Sequence, residues 1–305
     1  MEANQPVIEA QCLRKSYNQK LAVEDLSLTV GRGEVFGFLG PNGAGKTTSL
    51  KMLLGLVVPT GGSGTLLGRP LGEPETRRHV GFLPEHFRFH EWLQAAEFLH
   101  FHGRLYGMSP KRRQERVAEV LELVGLSDCA GQKLSTFSKG MLQRIGIAQA
   151  LLNDPHVVFL DEPTSGLDPL GRRLVRDIIQ SMKEQGITVF LNSHLLSEVE
   201  RVCDRVAIIN KGRVVEQGAL AELLSGEFEV DLRLGAPSPA LLEELERLAG
   251  PITANGSVMS VRLQDEAAIP HLAEIVVKHK GQLLALTPRR SSLEDYFVQV
   301  IEGDV

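Results

Sequence analysis

Cysteine is scarce: three thiols, Cys12, Cys129 and Cys203, lie scattered through a chain of 305 residues. An odd, dispersed set suits neither a disulfide framework nor a zinc site, and it fits ordinary thiols in a reducing compartment. Long apolar runs are also missing. The best candidates, "LLGLVVP" and "VVFL", fall far short of the roughly 18 to 20 residues that a membrane-spanning helix needs. The opening "MEANQPVIEAQ" is acidic and polar where a secretory signal would be basic and then apolar, so a cytoplasmic protein is expected. A basic excess is lacking as well. The formal charge of -5 does not suit a protein that neutralises phosphate backbones, which argues against nucleic acid as a partner. There is no low-complexity tract, and 43% hydrophobic with 23% charged residues is the balance of a folded globular chain.

The length allows two cores. From Val7 to about Leu224, short apolar strands alternate with helical patterns, which predicts an α/β domain with a largely parallel sheet. "EVFGFLG", "VVFLDEP" and "GITVFLNSH" are its clearest buried strands. Leu220 to Leu224 reads as a last short helix and Ser225-Gly226 as the boundary, giving domains at 1–225 and 226–305. The second stretch reads strand "FEVDLRL", helix "SPALLEELERLAG", hairpin "PITANGSVMSVRL" turning at Asn255-Gly256, helix "AAIPHLAEIVVKHKG" and strand "QLLALTP". That order, βαββαβ, predicts a small α+β domain of ferredoxin-like type, closed by the helix "SLEDYFVQVI".

"GPNGAGKTT", Gly40-Pro41-Asn42-Gly43-Ala44-Gly45-Lys46-Thr47-Thr48, follows the strand "EVFGFL" and precedes the helical "SLKMLLGL". Strand, loop and helix are the context that the phosphate-binding pattern G-x-x-x-x-G-K-[ST] requires. The glycines let backbone amides approach phosphate oxygens, Lys46 supplies charge to the β- and γ-phosphates, and the Thr47 hydroxyl is suited to magnesium. "VVFLDEP" is the complement: a buried strand delivers Asp161 and Glu162 to its carboxyl end, where ligands of open α/β sheets bind. An acidic pair there can merely cap a turn, but a phosphate loop calls for a metal-holding carboxylate. Asp161 is thus expected to hold magnesium through water and Glu162 to polarise the attacking water.

These two motifs alone give nucleoside-triphosphate binding and do not separate kinases, GTPases and helicases. "FSKGM", Phe137 to Met141, ahead of "LQRIGIAQALL" and "VVFLDEP", resembles the signature motif of ABC-type ATPases. The resemblance covers Val7 to about Leu224 and implies a P-loop ABC ATPase domain with a helical subdomain. It implies that Tyr17 in "KSYNQKLAV" stacks on adenine, that "FLPEH" is the Q-loop with Glu85 where glutamine is usual, and that "SGLD" ending at Asp168 is the D-loop. His194 in "LNSH" then matches the switch histidine that touches the γ-phosphate. Phe137, Lys139 and Met141 depart from the usual Leu-Ser-Gly-Gly-Gln, whereas the positions that face phosphate, Ser138 and Gly140, are kept. Glu85 makes direct magnesium ligation conceivable at that position. Ser138 is placed to cap the helix starting near Lys139, whose free amides and dipole offer a second phosphate site. In such proteins the signature of one subunit closes over the ATP bound by another.

The resemblance implies an ATP-hydrolysing subunit of an ABC transporter of exporter type, using ATP and Mg2+. Its partners would be a second nucleotide-binding subunit, expected to be a copy of itself, and a separate transmembrane permease holding it at the inner face of the cell membrane. The aromatic stretch "FRFHEWLQAAEFLHFHGRLY" stands where this family meets its membrane partner. His86, His90, His100 and His102 around it lack the cysteine or carboxylate support of a metal site. "PKRRQERVAEVLELVGL" is expected to be a solvated basic helix face, with an anionic-lipid contact as the alternative. The alternative is a soluble ABC ATPase acting as a mechanical or assembly module. Repair members carry a long coiled coil and translation members two nucleotide domains, and neither pattern occurs here. A plain P-loop kinase is disfavoured by "FSKGM" and "SGLD".

Overall fold

The computed structural model describes residues 5–18, 20–224, 228–235, 237–249, 252–255, 258–263, 266–289 and 292–303. It divides into one unit of 1–220 with 300–305 and another of 221–299. The expected boundary at Ser225-Gly226, and Gly256 of the expected hairpin turn, lie outside the described residues.

In the first unit the strands are β1 (Ile8–Tyr17), β2 (Lys20–Val30), β3 (Val35–Leu39), β4 (Gly61–Leu66), β5 (Arg69–Pro70), β6 (Val80–Leu83), β7 (Val157–Asp161), β8 (Thr188–Asn192), β9 (Arg205–Asn210) and β10 (Arg213–Ala219). They form one sheet in the order β5-β4-β1-β2-β10-β9-β3-β8-β7-β6. The half β9-β3-β8-β7-β6 is parallel throughout. Its strands β3, β7 and β8 are buried at every position, as expected when helices cover both faces. The expectation of a largely parallel sheet fails for the other half. There β1 pairs antiparallel with β2 and β4, β4 with β5, and β10 with β9, while β10 meets β2 in parallel at a single residue pair. Too few residues separate Tyr17 from Lys20 to hold a crossover helix, so that connection has to be a hairpin.

Register places Phe36, Phe190 and Phe159 side by side on β3, β8 and β7. Phe190 is the hub, with ring centroids 5.7 Å from Phe36, 5.5 Å from Phe38 and 5.2 Å from Phe159. On β3, a Cβ added to Gly37 would come within 2.8 Å of Val199, so only glycine lets that side chain pack so closely against the strand.

The helices are α1 (Lys46–Leu53), α2 (Ala95–Leu105), α3 (Pro110–Leu123), α4 (Lys139–Leu151), α5 (Pro169–Glu184), α6 (Leu196–Val202) and α7 (Leu220–Leu223). Their starts follow local chemistry. Gln94 and Glu97 form a reciprocal capping box on α2, and Ser109 caps α3 with proline at its first position. The basic face of α3 is less solvated than expected. Arg116 is largely covered, donates to Leu151 O at 2.7 Å and pairs with Asp154 and Glu119, while Arg112 pairs with the same two acids. The carbonyls ending α4 and the Asp154 carboxylate give these guanidiniums better partners than water. His90 and His102 pack among Trp92, Phe98 and Phe101.

The second unit runs β11 (Phe228–Leu234), α8 (Pro239–Ala249), β12 (Thr253–Asn255), β13 (Val258–Leu263), α9 (Ile269–Lys278) and β14 (Leu283–Arg289). Its antiparallel sheet has the order β12-β13-β11-β14, and Val230, Leu232, Leu241, Leu245, Val261, Leu272 and Val276 form a core of its own. A last helix, α10, covers Leu293–Gly303.

Phe190→Ala removes the hub of the aromatic row from a fully buried strand and should cost about 3 to 5 kcal/mol of stability. Chemical denaturation of the full chain should show the midpoint falling accordingly, and an unchanged midpoint would mean that the row does not hold the sheet together.

Candidate functional site

Three strand ends build the site. Beyond Leu39, the end of β3, the loop Gly40–Gly45 leads into α1. A Cβ on Gly40 would collide with Ile209 O, and Gly45 takes a left-handed φ of 104° immediately before Lys46. No side chain caps α1, so its first amides are offered to a ligand by the loop itself. Gly43 has a φ of 82° at an open position, Asn42 and Thr47 are exposed, Pro41 and Thr48 are half-buried, and Ala44 is buried. Lys46 Nζ folds back across the loop, donating to Gly40 O at 2.6 Å and to Pro41 O at 3.2 Å. Burial pushes its pKa below the usual lysine value, opposed by the charges of Glu162, Asp161 and Glu85.

Asp161 closes β7 and is buried. Its Oδ1 accepts from Asn192 Nδ2 at 2.5 Å, and the Glu85 backbone N–H also donates to it. Burial raises its pKa, and repulsion from the Glu85 carboxylate adds to the rise. Glu162 follows with a left-handed φ of 53°, rare for a residue with a side chain. The Asn192 carbonyl accepts its amide at 2.8 Å and holds that backbone in place. Glu162 Oε2 lies 2.6 Å from Nδ1 of His194, which follows β8 and has a half-exposed ring. Burial raises the Glu162 pKa, against the pull of His194 and Lys46.

The remaining candidates have hydrogen-bond partners and contacts of their own. Ser138 Oγ accepts from Met141 N at 3.3 Å and caps α4, and Gly140 beside it faces Leu167. Asp168 Oδ1 accepts from Gly171 N at 2.7 Å and caps α5. Tyr17 is 44% exposed at the end of β1, with Lys15 Nζ 5.0 Å from its ring centroid. Among the described residues, no hydrogen bond joins Ser138, Gly140, Asp168 or Tyr17 to Lys46, Asp161, Glu162 or His194.

A phosphate loop facing two buried carboxylates and a histidine is the constellation of a nucleotide-hydrolysing cassette. Residues 23–165 match the ABC transporter family model. The chain is 46% identical over 287 residues, 92% of its own length and 79% of the relative's, to an ABC transporter ATP-binding protein of Synechocystis sp.. The chain belongs to the ABC transporter ATP-binding proteins. A Nod factor export ATP-binding protein of Cupriavidus pinatubonensis is 35% identical, covering 96% of this chain and 90% of that protein. Among solved structures, a dimeric post-hydrolysis state of an ATP-binding cassette bound to ADP and Pi matches with a TM-score of 0.64 at 25% identity, over 70% of this chain and 98% of that one. As a member of this family, the chain binds ATP and hydrolyses it as the ATP-binding subunit of a transporter.

Asn192 is the residue that sequence reasoning passed over. It stands in the quoted "FLNSH", and only the pairing of β7 with β8, which sets it opposite Asp161, reveals that it holds both acidic residues. Thr47, Asp161 and Glu85 offer hard oxygen donors of the kind magnesium prefers. Asp161 and Glu85 raise each other's energy as neighbouring anions, which a cation would relieve, so the donor set fits that ion. Among the described residues, no group of three or more His, Cys, Asp or Glu side chains could hold a metal.

The raised carboxylate pKa of Asp161 makes it a stability cost. A folded pKa above the unfolded one means that stability falls as pH rises through the interval between them. In metal-free buffer, Asp161→Asn should therefore have a higher Tm than the parent chain at neutral pH. The difference should vanish below the ordinary carboxylate pKa of about 4. A pH-independent difference would show that Asp161 carries no buried charge.

Proposed function

We propose that the chain is the ATP-hydrolysing subunit of an exporter, in which two copies close on ATP and drive a separate transmembrane permease. The observation that carries the reading is the convergence of Lys46, Asp161, Glu162 and His194 at the carboxyl ends of β3, β7 and β8. The export role in the name of the Nod factor relative supports the direction of transport, and the dimeric cassette among the structural neighbours supports the pair. No helix among the described residues is long and apolar enough to cross a membrane, which agrees with a permease on another chain and a peripheral position at the inner membrane face. Within this reading, 1–225 is the nucleotide-binding domain and 226–305 an accessory domain.

The residues divide the work. The amides of Gly43 to Thr48 and the Lys46 ammonium bind the β- and γ-phosphates, and Tyr17 offers its exposed ring to adenine. Glu162 takes the proton of the attacking water. Its raised pKa brings it nearer to neutrality, where a general base works best. His194 fixes the orientation of that carboxylate through the 2.6 Å contact and is placed to meet the γ-phosphate. Thr47, Asp161 and Glu85 would hold magnesium, which when bound neutralises phosphate charge. Ser138 and Gly140, remote from the cluster in hydrogen bonding, serve the γ-phosphate of the ATP held by the other copy, and Asp168 stands at the seam between copies.

Glu162→Gln should keep ATP binding and lower turnover by about 10²-fold or more, because the amide preserves shape and loses the basic oxygen. Sizing chromatography should then show a dimer that persists in ATP. Parental turnover in this variant would remove Glu162 from its role.

A further inference from the structure

Among the described residues the buried acids are Asp161, Glu162 and Glu198, and the first two belong to the nucleotide site. Glu198 is the one that the site leaves unused. It stands in the first turn of α6, where Arg176 Nη1 of α5 donates to both of its carboxylate oxygens at 3.1 Å. Both side chains are largely covered. A covered ion pair adds little net stability over an apolar pair of the same size, yet losing one partner is strongly destabilising. Its place in the fold gives it a use. With seven residues and no side-chain cap, α6 is too short to hold its shape alone. It starts directly after His194, at Leu195, whose carbonyl accepts from the amides of Glu198 at 3.0 Å and Val199 at 3.2 Å. The Leu195 amide itself donates to Ser193 Oγ at 3.1 Å. On another side of α6, Val199 packs against Gly37 of β3. By contrast, α5 has sixteen residues, a cap at Asp168 and a buried face of Val175, Ile178, Ile179 and Met182. It is also tied by Lys183 to Asp204, which in turn accepts from Val35 N at 2.9 Å.

We infer that Arg176 and Glu198 are a positioning pair: by tying the short α6 to the long α5 they hold the backbone from which His194 reaches Glu162 at 2.6 Å. The tie also links that backbone to the helix that begins at Asp168. Glu198 serves the arrangement twice, since a carboxylate in the first turn of α6 faces the positive end of that helix. An apolar pair would cover the same surface without fixing a direction, because hydrophobic burial is non-directional. The kinetic consequence rests on Glu162 and His194 acting as proposed above, whereas the tie between the helices does not.

The test uses the full chain with Arg176→Met, Glu198→Leu and the two together. It reads Tm, hydrogen exchange at the Glu198 and Val199 amides, the NMR signals of the His194 ring without nucleotide, and ATPase kinetics, all well below the Tm of each variant. Each single substitution leaves one charge covered and unpaired and should lower Tm. The double substitution removes both charges and should regain most of that loss. Its exchange at the two amides should nevertheless run several-fold faster than in the parent, and the His194 ring signals should move. Its kcat should fall about 3- to 10-fold while KM for ATP stays within about 2-fold, the pattern of a lost transition-state interaction. Parental exchange and ring signals in the double variant overturn the inference, leaving the pair a contact with no bearing on His194. A raised KM at parental kcat overturns it too, by making the pair act on nucleotide binding. Faster exchange and moved ring signals at parental kcat would uphold the tie and count against the roles proposed for Glu162 and His194.

Discussion

Everything in the nucleotide site depends on keeping a lysine and two carboxylates together out of water. Lys46 loses solvation where it lies, and Asp161 and Glu162 do as well, so each group is costly alone and tolerable only in the company of the others. The parallel half of the sheet makes that company possible. Strands β3, β8 and β7 are neighbours in register, so the loop after one, the histidine after the next and the acidic pair closing the third emerge side by side. The aromatic row beneath them is the rigid floor. The site pays for its chemistry with buried charge and with a left-handed Glu162.

Local patterns made much of this legible in the sequence. Buried strands of four or five apolar residues, a glycine loop before a helix, and serine or aspartate ahead of a helical run each act over a few residues, and α4 and α5 begin at Ser138 and Asp168 as such patterns require. Features that depend on pairing between distant strands were hidden. Asn192 gains its role only by lying opposite Asp161, 31 positions away. The antiparallel half of the sheet escaped although its strands, in which polar residues alternate with buried ones, differ from the wholly buried parallel strands. Arg116 read as a solvated charge because neither Asp154 nor the Leu151 carbonyl is a sequence neighbour.

Departures from the usual signature take on physical meaning here. Lysine in place of glycine at 139 stands exposed at the first position of α4. Outside the signature, glutamate at 85 adds a charge beside Asp161 that contributes to the rise of its pKa. Ser138 and Gly140 keep the polar, compact helix start. Among the described residues no hydrogen bond joins them to Lys46, and the proposed second copy is what gives them a phosphate to meet.

The most direct measurement of that claim is subunit mixing. A Lys46→Ala chain lacks a working phosphate loop and keeps its signature, while a Ser138→Arg chain has the opposite defects. Each alone should fail to associate on ATP. In a mixed pair, confirmed by differential tags, the intact loop of one copy faces the intact signature of the other, and ATP-dependent association should return through one complete site. If tagged chains exchange and association still does not return, the signature serves only its own chain, and the two-copy account is contradicted.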